Sequence, residues 1–199
     1  MVGNDIVDLA EAEKSSNWKR PRFLDKIFTP KEQQFIYNSE NPFYSVWQLW
    51  SMKEAAYKLY TQLHPSRFYN PKSFECSILN GNQKVSYNDF ECFTQSKITS
   101  KYIISEARLM SSDMSSEVVE LKESNPKIKS ITTTSALIKS ISEKFEISKK
   151  DLKLKKSEFG IPTVYFNTQK ISVSLSHHGN FGAYAFVRSV IPDQAEIYT

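Results

Sequence analysis

The chain has 199 residues, 40% of them hydrophobic, with 26 basic and 22 acidic side chains and a net charge of +4. That length holds one domain, or two small ones sharing a core, in a soluble globular chain able to bury a sizeable interior. The mild basicity favours an anionic partner without diagnosing one, and no apolar run approaches the roughly 18 residues that a membrane span needs.

The opening "MVGNDIVDLA" has no basic n-region and carries Asp5, so it does not read as a signal peptide, and a cytoplasmic protein is expected. Residues 2–7 form a short apolar run broken by one carboxylate, the pattern of a buried strand. A lone acid in such a strand calls for a cation or a turn donor, and an end-of-strand cap is the plainer alternative for Asp5. Asp8 is placed to cap the "LAEAEK" helix that follows. In "FTPKEQQFI", Thr29, Pro30 and Glu32 have the spacing of a capping box with proline at the first helical position. The next helix runs from about Pro42 to Leu63, with Pro65 just beyond its end.

Within that helix Leu49, Met52, Ala56, Leu59 and Leu63 share one stripe at about 100° per residue, which makes a core face. Glu54 and Lys58 lie nearly opposite, one turn apart, among Phe43, Trp47, Trp50 and Tyr57. Two readings stand: a structural ion pair, or a carboxylate and an ammonium used by a metal or ligand. Asp5 is a second hard oxygen donor. Two carboxylates plus a phosphate suit Mg²⁺, which usually takes only one or two protein carboxylates.

Alternating strands are expected in "FECSI", "KVSY", "FECF" and "KYIIS", with a turn at "NGN" (80–82). Cys76 and Cys92 fall in them without metal-ligand spacing and read as reduced core thiols. Residues 111–130 are polar and rich in Ser and Lys, a linker or loop by composition. A helix follows in "SALIKSISEKF", then a turn at Gly160-Ile161-Pro162, then strands "TVYF", "ISVSLS" and "FGAYAFV". The Lys-rich run 139–156 reads as a solvated face, and it lacks the interleaved aromatics of a nucleic-acid surface. In "SVSLSHHGN", Ser174 and Ser176 project to one side of a strand, with His177 at its end and Gly179 allowing a tight turn. Hydroxyls, an imidazole and turn amides suit a phosphate. A serine nucleophile is the rival reading, but the chain has no G-x-S-x-G elbow. The element order gives an α+β fold, helices packed on antiparallel sheets.

Taken together, "GNDIVDL", "RFLDKIFTPKEQQFI", "WSMKEAAYK" and "SLSHHG" resemble, in order over residues 3–179, the motifs of the 4'-phosphopantetheinyl transferase superfamily. The K-E-A-x-x-K helix is the most specific of them. The resemblance implies transfer of the 4'-phosphopantetheine arm from coenzyme A to a serine of an acyl or peptidyl carrier protein, with release of 3',5'-ADP. The fatty-acid, polyketide and nonribosomal-peptide pathways all use that chemistry. By position it implies Asp5 and Glu54 as Mg²⁺ ligands, and Glu54, directly or through a metal-bound water, as the group that helps deprotonate the serine. It likewise implies Lys58 on the diphosphate, Lys53 as an aid to phosphate binding, and Ser176 and His177 at the 3'-phosphate. A carrier- or coenzyme-A-binding module that kept the fold without catalysis is the alternative.

Two departures from the family pattern stand out. Position 7 is Val where the larger members carry a third acid, as in the smaller synthases. The segment resembling the larger type's N-terminal half also follows the metal-bearing half here. The expectation is therefore a pseudo-dimer of two similar halves in permuted order, or a small-type subunit with an insertion. The first stands as a monomer, and the second needs partners in a small homo-oligomer. The divisions would be a metal-bearing half at 1–110, a linker at 111–130 and a second half at 131–199. The arginine expected on the second-half helix has no clear counterpart; Ala136 and Lys139 lie near its position.

Overall fold

The computed structural model describes residues 1–66, 68, 70–109, 114–123 and 125–187. Strand β1 (Gly3–Asp8) leads into helices α1 (Leu9–Ser15), α2 (Phe23–Ile27), α3 (Pro30–Asn38) and α4 (Pro42–Leu63), then strands β2 (Glu75–Leu79), β3 (Asn82–Tyr87), β4 (Phe90–Ile98) and β5 (Tyr102–Arg108). After these come β6 (Met114–Glu120), α5 (Pro126–Phe145), β7 (Lys153–Lys156), β8 (Pro162–Phe166), β9 (Gln169–His178) and β10 (Phe181–Val187). The strands form two antiparallel five-stranded sheets, in the orders β1-β5-β4-β3-β2 and β6-β10-β9-β8-β7. The second order repeats the first strand for strand, so the fold is α+β and built from two halves on one plan.

Local chemistry sets the helix starts. Thr29 and Glu32 complete the expected capping box of α3, and Asp8 accepts from the amides of Ala10 and Glu11 to cap α1. Asn41 caps α4 ahead of Pro42. The α4 stripe is buried as its spacing predicts, with Leu49, Met52, Ala56 and Leu59 at 2% exposure or less. Gly3 explains how closely this helix approaches β1: a Cβ there would run into the backbone of Ala55 and Leu59.

Residues 111–130 depart from the expected linker. Residues 111–113 and 124 lie outside the described residues, but 114–120 form β6 and Pro126 begins α5, with Asn125 as its N-cap. β6 is polar because it is an edge strand, paired only to β10 and half-buried along most of its length. Leu137 and Ile141 of α5 pack on Val164, Ile171, Val173, Tyr184 and Phe186 to make the second core.

The two sheets meet along β1. Its odd-numbered residues turn towards α4, and its even-numbered ones towards β9 and β10, as strand alternation requires. Ile6 and Ile104 bury against Phe181 and Ala183, and Val2 against Ala185 and Val187. Each large side chain in this seam contributes about 1.5–3 kcal/mol by leaving water. Polar bonds add register. The Asn4 amide donates to Ser174 Oγ at 3.0 Å, its Nδ2 donates to Ser176 Oγ at 3.3 Å, and Gln62 Nε2 donates to the carbonyls of Val2 (2.7 Å) and Val173 (3.2 Å).

Candidate active site

Asp5 and Lys58 meet where β1 crosses α4. Lys58 Nζ donates to Asp5 Oδ1 at 2.8 Å and to the Asn4 carbonyl at 2.9 Å. Glu54 lies one helical turn from Lys58 and is half-buried. Its charge, after burial, is the second cause holding the Tyr57 phenol above its ordinary value. Burial pushes the Asp5 carboxyl up from 3.8, and Lys58 offsets that only in part.

Asp5 on β1 and Glu54 on α4 are two hard oxygen donors, the donor chemistry that an ion of the Mg²⁺ type takes. Among the described residues no group of three or more His, Cys, Asp or Glu could hold a metal. An ion taken up by Asp5 and Glu54 would have to complete its shell from water and substrate. Val7, where a third acid is absent, is 3% exposed and sits in the core against α4.

The structure corrects the reading of Lys53. Its ammonium is enclosed at 1% exposure and contacts Glu32 Oε1 at 2.7 Å and Oε2 at 2.9 Å, while also donating to the Phe74 carbonyl at 2.5 Å. Glu32 in turn accepts from the amides of Thr29 and Cys76, both at 2.7 Å. Neighbouring positions on a helix lie about 100° apart. Lys53 therefore points into the core and ties α3, α4 and β2 together, and it is not a phosphate ligand.

Ser176 is buried and holds Asn4 across the seam. His177, exposed on the opposite face of β9, opens on a pocket of about 150 Å³ with Ser130 and Thr133 of α5, Lys156 of β7 and Gly160. Lys156 is the cation the sequence reading missed. Its position just before the Gly160-Ile161-Pro162 turn was the available signal. Lys139 instead faces solvent beside Glu143, and Ala136 packs against the second core. His178, also missed, reaches the other way. The Asp8 amide donates to its Nδ1 at 2.9 Å, and the Asn180 amide closes the same corner on Asp8 Oδ2 at 2.8 Å. Gly179 has φ +52°, and a Cβ there would strike the Asp8 carboxylate.

A family model of the 4'-phosphopantetheinyl transferase superfamily matches residues 1–110. The holo-[acyl-carrier-protein] synthase of Caldanaerobacter subterraneus subsp. tengcongensis is 38% identical over 58 residues, covering 29% of this chain and 45% of that protein. The Chlamydia felis synthase is 37% identical over 57 residues, covering 29% and 47%. The chain thus spans about half the length of the curated relatives it matches. Among solved structures, apo-ACPS of Chronobacterium ammoiniagenes aligns at TM-score 0.45 and 18% identity, over 54% of this chain and 93% of that one. The Helicobacter pylori holo-[acyl-carrier-protein] synthase in complex with coenzyme A aligns at TM-score 0.25 and 17% identity, over 95% and 100%. With more than half of its residues under the family model, the chain belongs to the 4'-phosphopantetheinyl transferase superfamily.

Proposed function

We propose that this chain moves the 4'-phosphopantetheine arm of coenzyme A onto a serine of an acyl or peptidyl carrier protein. The observation that carries the reading is the Asp5–Lys58 contact at 2.8 Å where β1 crosses α4, one helical turn from Glu54 and within the residues the family model matches. In this reading residues 1–110 form the chemistry-bearing half, and β9 with its following turn supplies the coenzyme clamp.

The reaction joins the serine Oγ to the phosphorus that bears the pantetheine and breaks that phosphorus's bond to the bridging diphosphate oxygen. The serine proton is lost, and 3',5'-ADP leaves with the bridging oxygen's electron pair. Such a transfer needs alignment and charge stabilisation more than covalent help from the protein. Glu54 accepts the serine proton. Lys58 neutralises charge building on the leaving diphosphate, and its bonds to Asp5 and the Asn4 carbonyl fix where that charge is met. Asp5 and Glu54 would hold Mg²⁺, which when bound supplies Lewis-acid stabilisation of the diphosphate oxygens. His177 and Lys156 offer an imidazole and an ammonium to the 3'-phosphate, while the Ser176 hydroxyl, on the other face of β9, is taken by Asn4.

The test mixes the chain with coenzyme A, Mg²⁺ and a panel of apo carrier proteins, and reads 3',5'-ADP release and carrier mass. Transfer is expected from the wild type and abolished in Glu54→Ala, with the fold intact by circular dichroism. Unchanged transfer by Glu54→Ala, or no 3',5'-ADP with any carrier, refutes the reading.

A further inference from the structure

The ends of β1 and β6 repeat one another. "GNDIVDL" (3–9) and "SSEVVEL" (115–121) align residue for residue, with Asp8 opposite Tyr102 in one sheet and Glu120 opposite Phe181 in the other. The corners that follow repeat as well. The Leu9 amide donates to the Lys101 carbonyl at 3.0 Å, and the Leu121 amide donates to the Asn180 carbonyl at 2.7 Å. The Tyr102 and Phe181 rings meet with centroids 5.0 Å apart. Where the two corners face each other they enclose a cavity of about 370 Å³, within the size range of small-molecule sites. Its walls are not those of the Asp5–Lys58 contact or of the His177 pocket.

The floor of this cavity is apolar: Leu121 and Phe181, both buried, with Ala10 beside them. The rim is charged. Asp8 is already committed, since its carboxylate accepts the amides of Ala10, Glu11 and Asn180 at 3.0, 3.2 and 2.8 Å. Glu120 stands 3.8 Å from Lys101, and both side chains are mostly exposed, so that contact is weak and easily exchanged. Lys122, also on the rim, makes no ion pair among the described residues. Two ammoniums therefore face one loosely held carboxylate above an apolar floor. The two acids also set a limit, because they repel a guest that carries more than one negative charge.

We propose that this cavity is a binding site for an aliphatic monocarboxylate, its chain lying on Leu121 and Phe181 and its carboxylate met by Lys122 and Lys101. The site is separate from the transfer chemistry proposed above. Both corners are closed by backbone hydrogen bonds, so the floor is formed before the guest arrives and little ordering is needed to bind it.

The test titrates sodium octanoate into the full chain and follows ¹H–¹⁵N spectra, with the amides of Leu121, Asn180 and Phe181 as reporters. These signals should shift together and saturate. Each methylene withdrawn from water tightens binding about fourfold, so hexanoate should bind about 15-fold more weakly than octanoate. At equal chain length octanol, octylamine and octyl phosphate should each bind more weakly than octanoate. Lys122→Glu, a change on the exposed rim, should weaken octanoate binding about fivefold or more with the thermal midpoint unchanged. Coenzyme A, which carries several negative charges, should leave the octanoate affinity within about twofold of its value without it. Reporters that do not shift overturn the inference, and so does hexanoate binding as tightly as octanoate. Any of the other three head groups matching octanoate, wild-type affinity in Lys122→Glu, or displacement by coenzyme A overturns it equally. The chain-length and head-group series use the unmutated chain, so they decide the matter whatever the variant does to folding.

Discussion

Replacing Lys53 by Met separates a lysine that holds the core from one that holds a ligand. Both carboxylate oxygens of Glu32 lie within 2.9 Å of the ammonium, and the two side chains are 1% and 2% exposed. The variant keeps a stem of similar length, so packing changes little, but it leaves a carboxylate in the interior without its ammonium, still held by the Thr29 and Cys76 amides. An orphaned buried charge of this kind costs about 3–5 kcal/mol, set against a total stability of about 5–15 kcal/mol for a domain. Urea unfolding read by tryptophan fluorescence should show the loss directly, because Trp18, Trp47 and Trp50 all pack against the first core. Adding Glu32→Gln should recover part of it, since the amide oxygen still accepts one N–H and the stranded charge is gone. Coenzyme A affinity, measured in the cold where the variant is folded, should stay within about twofold of wild type, the size of an effect worth less than half a kcal/mol. An unchanged urea midpoint together with a tenfold weaker affinity would refute the structural assignment and return Lys53 to the phosphate.

Further outcomes follow from the same geometry. Burial raises the Asp5 carboxyl above 3.8 despite Lys58, so the folded chain holds this proton more tightly than the unfolded one. Its contribution to stability is fullest below 3.8 and is lost as pH rises through the folded value. Asp5→Asn should therefore unfold at higher urea than the wild type at neutral pH in EDTA while losing transfer, and a lower midpoint contradicts the argument. Lys156→Ala should bind coenzyme A and dephospho-coenzyme A alike, erasing the preference for the 3'-phosphate; a preference kept at its wild-type ratio removes Lys156 from that pocket's role. Gly3→Ala should cost about 1–3 kcal/mol or more by forcing α4 off β1, and an unaltered thermal midpoint would show the contact to be loose. Burial lifts the Cys92 thiol to about 12 and the Cys76 thiol well above its ordinary value, so neither should react with a thiol reagent until the chain unfolds; labelling in native buffer speaks against that.

What the sequence revealed and what it concealed divide along the range of the interactions. The α4 stripe, the Thr29–Glu32 box and the Asp8 cap depend on residues within a turn or two, and the structure has each of them. Lys53 and Lys58 look alike on a helical wheel crowded with aromatics. Which of them turns into the core and which meets Asp5 is decided by Glu32, 21 residues from Lys53, and by the Phe74 carbonyl. His178 was passed over for the same reason: its partner is an amide 170 residues earlier in the chain. β6 was hidden by its edge position, where half-exposed Ser and Glu satisfy a strand as well as they would a loop. The duplication shows in the sequence as a rough repeat of element order and a likeness between motifs, and the matching strand orders make it plain.

The seam between β1 and β9 joins two stretches of a single polypeptide. A catalytic crevice formed between separate subunits empties when the protein is diluted below its association constant; in the proposed function the β1 and β9 walls belong to one chain and stay tethered at a fixed, high effective concentration. Turnover per chain should then stay constant from micromolar down to picomolar protein.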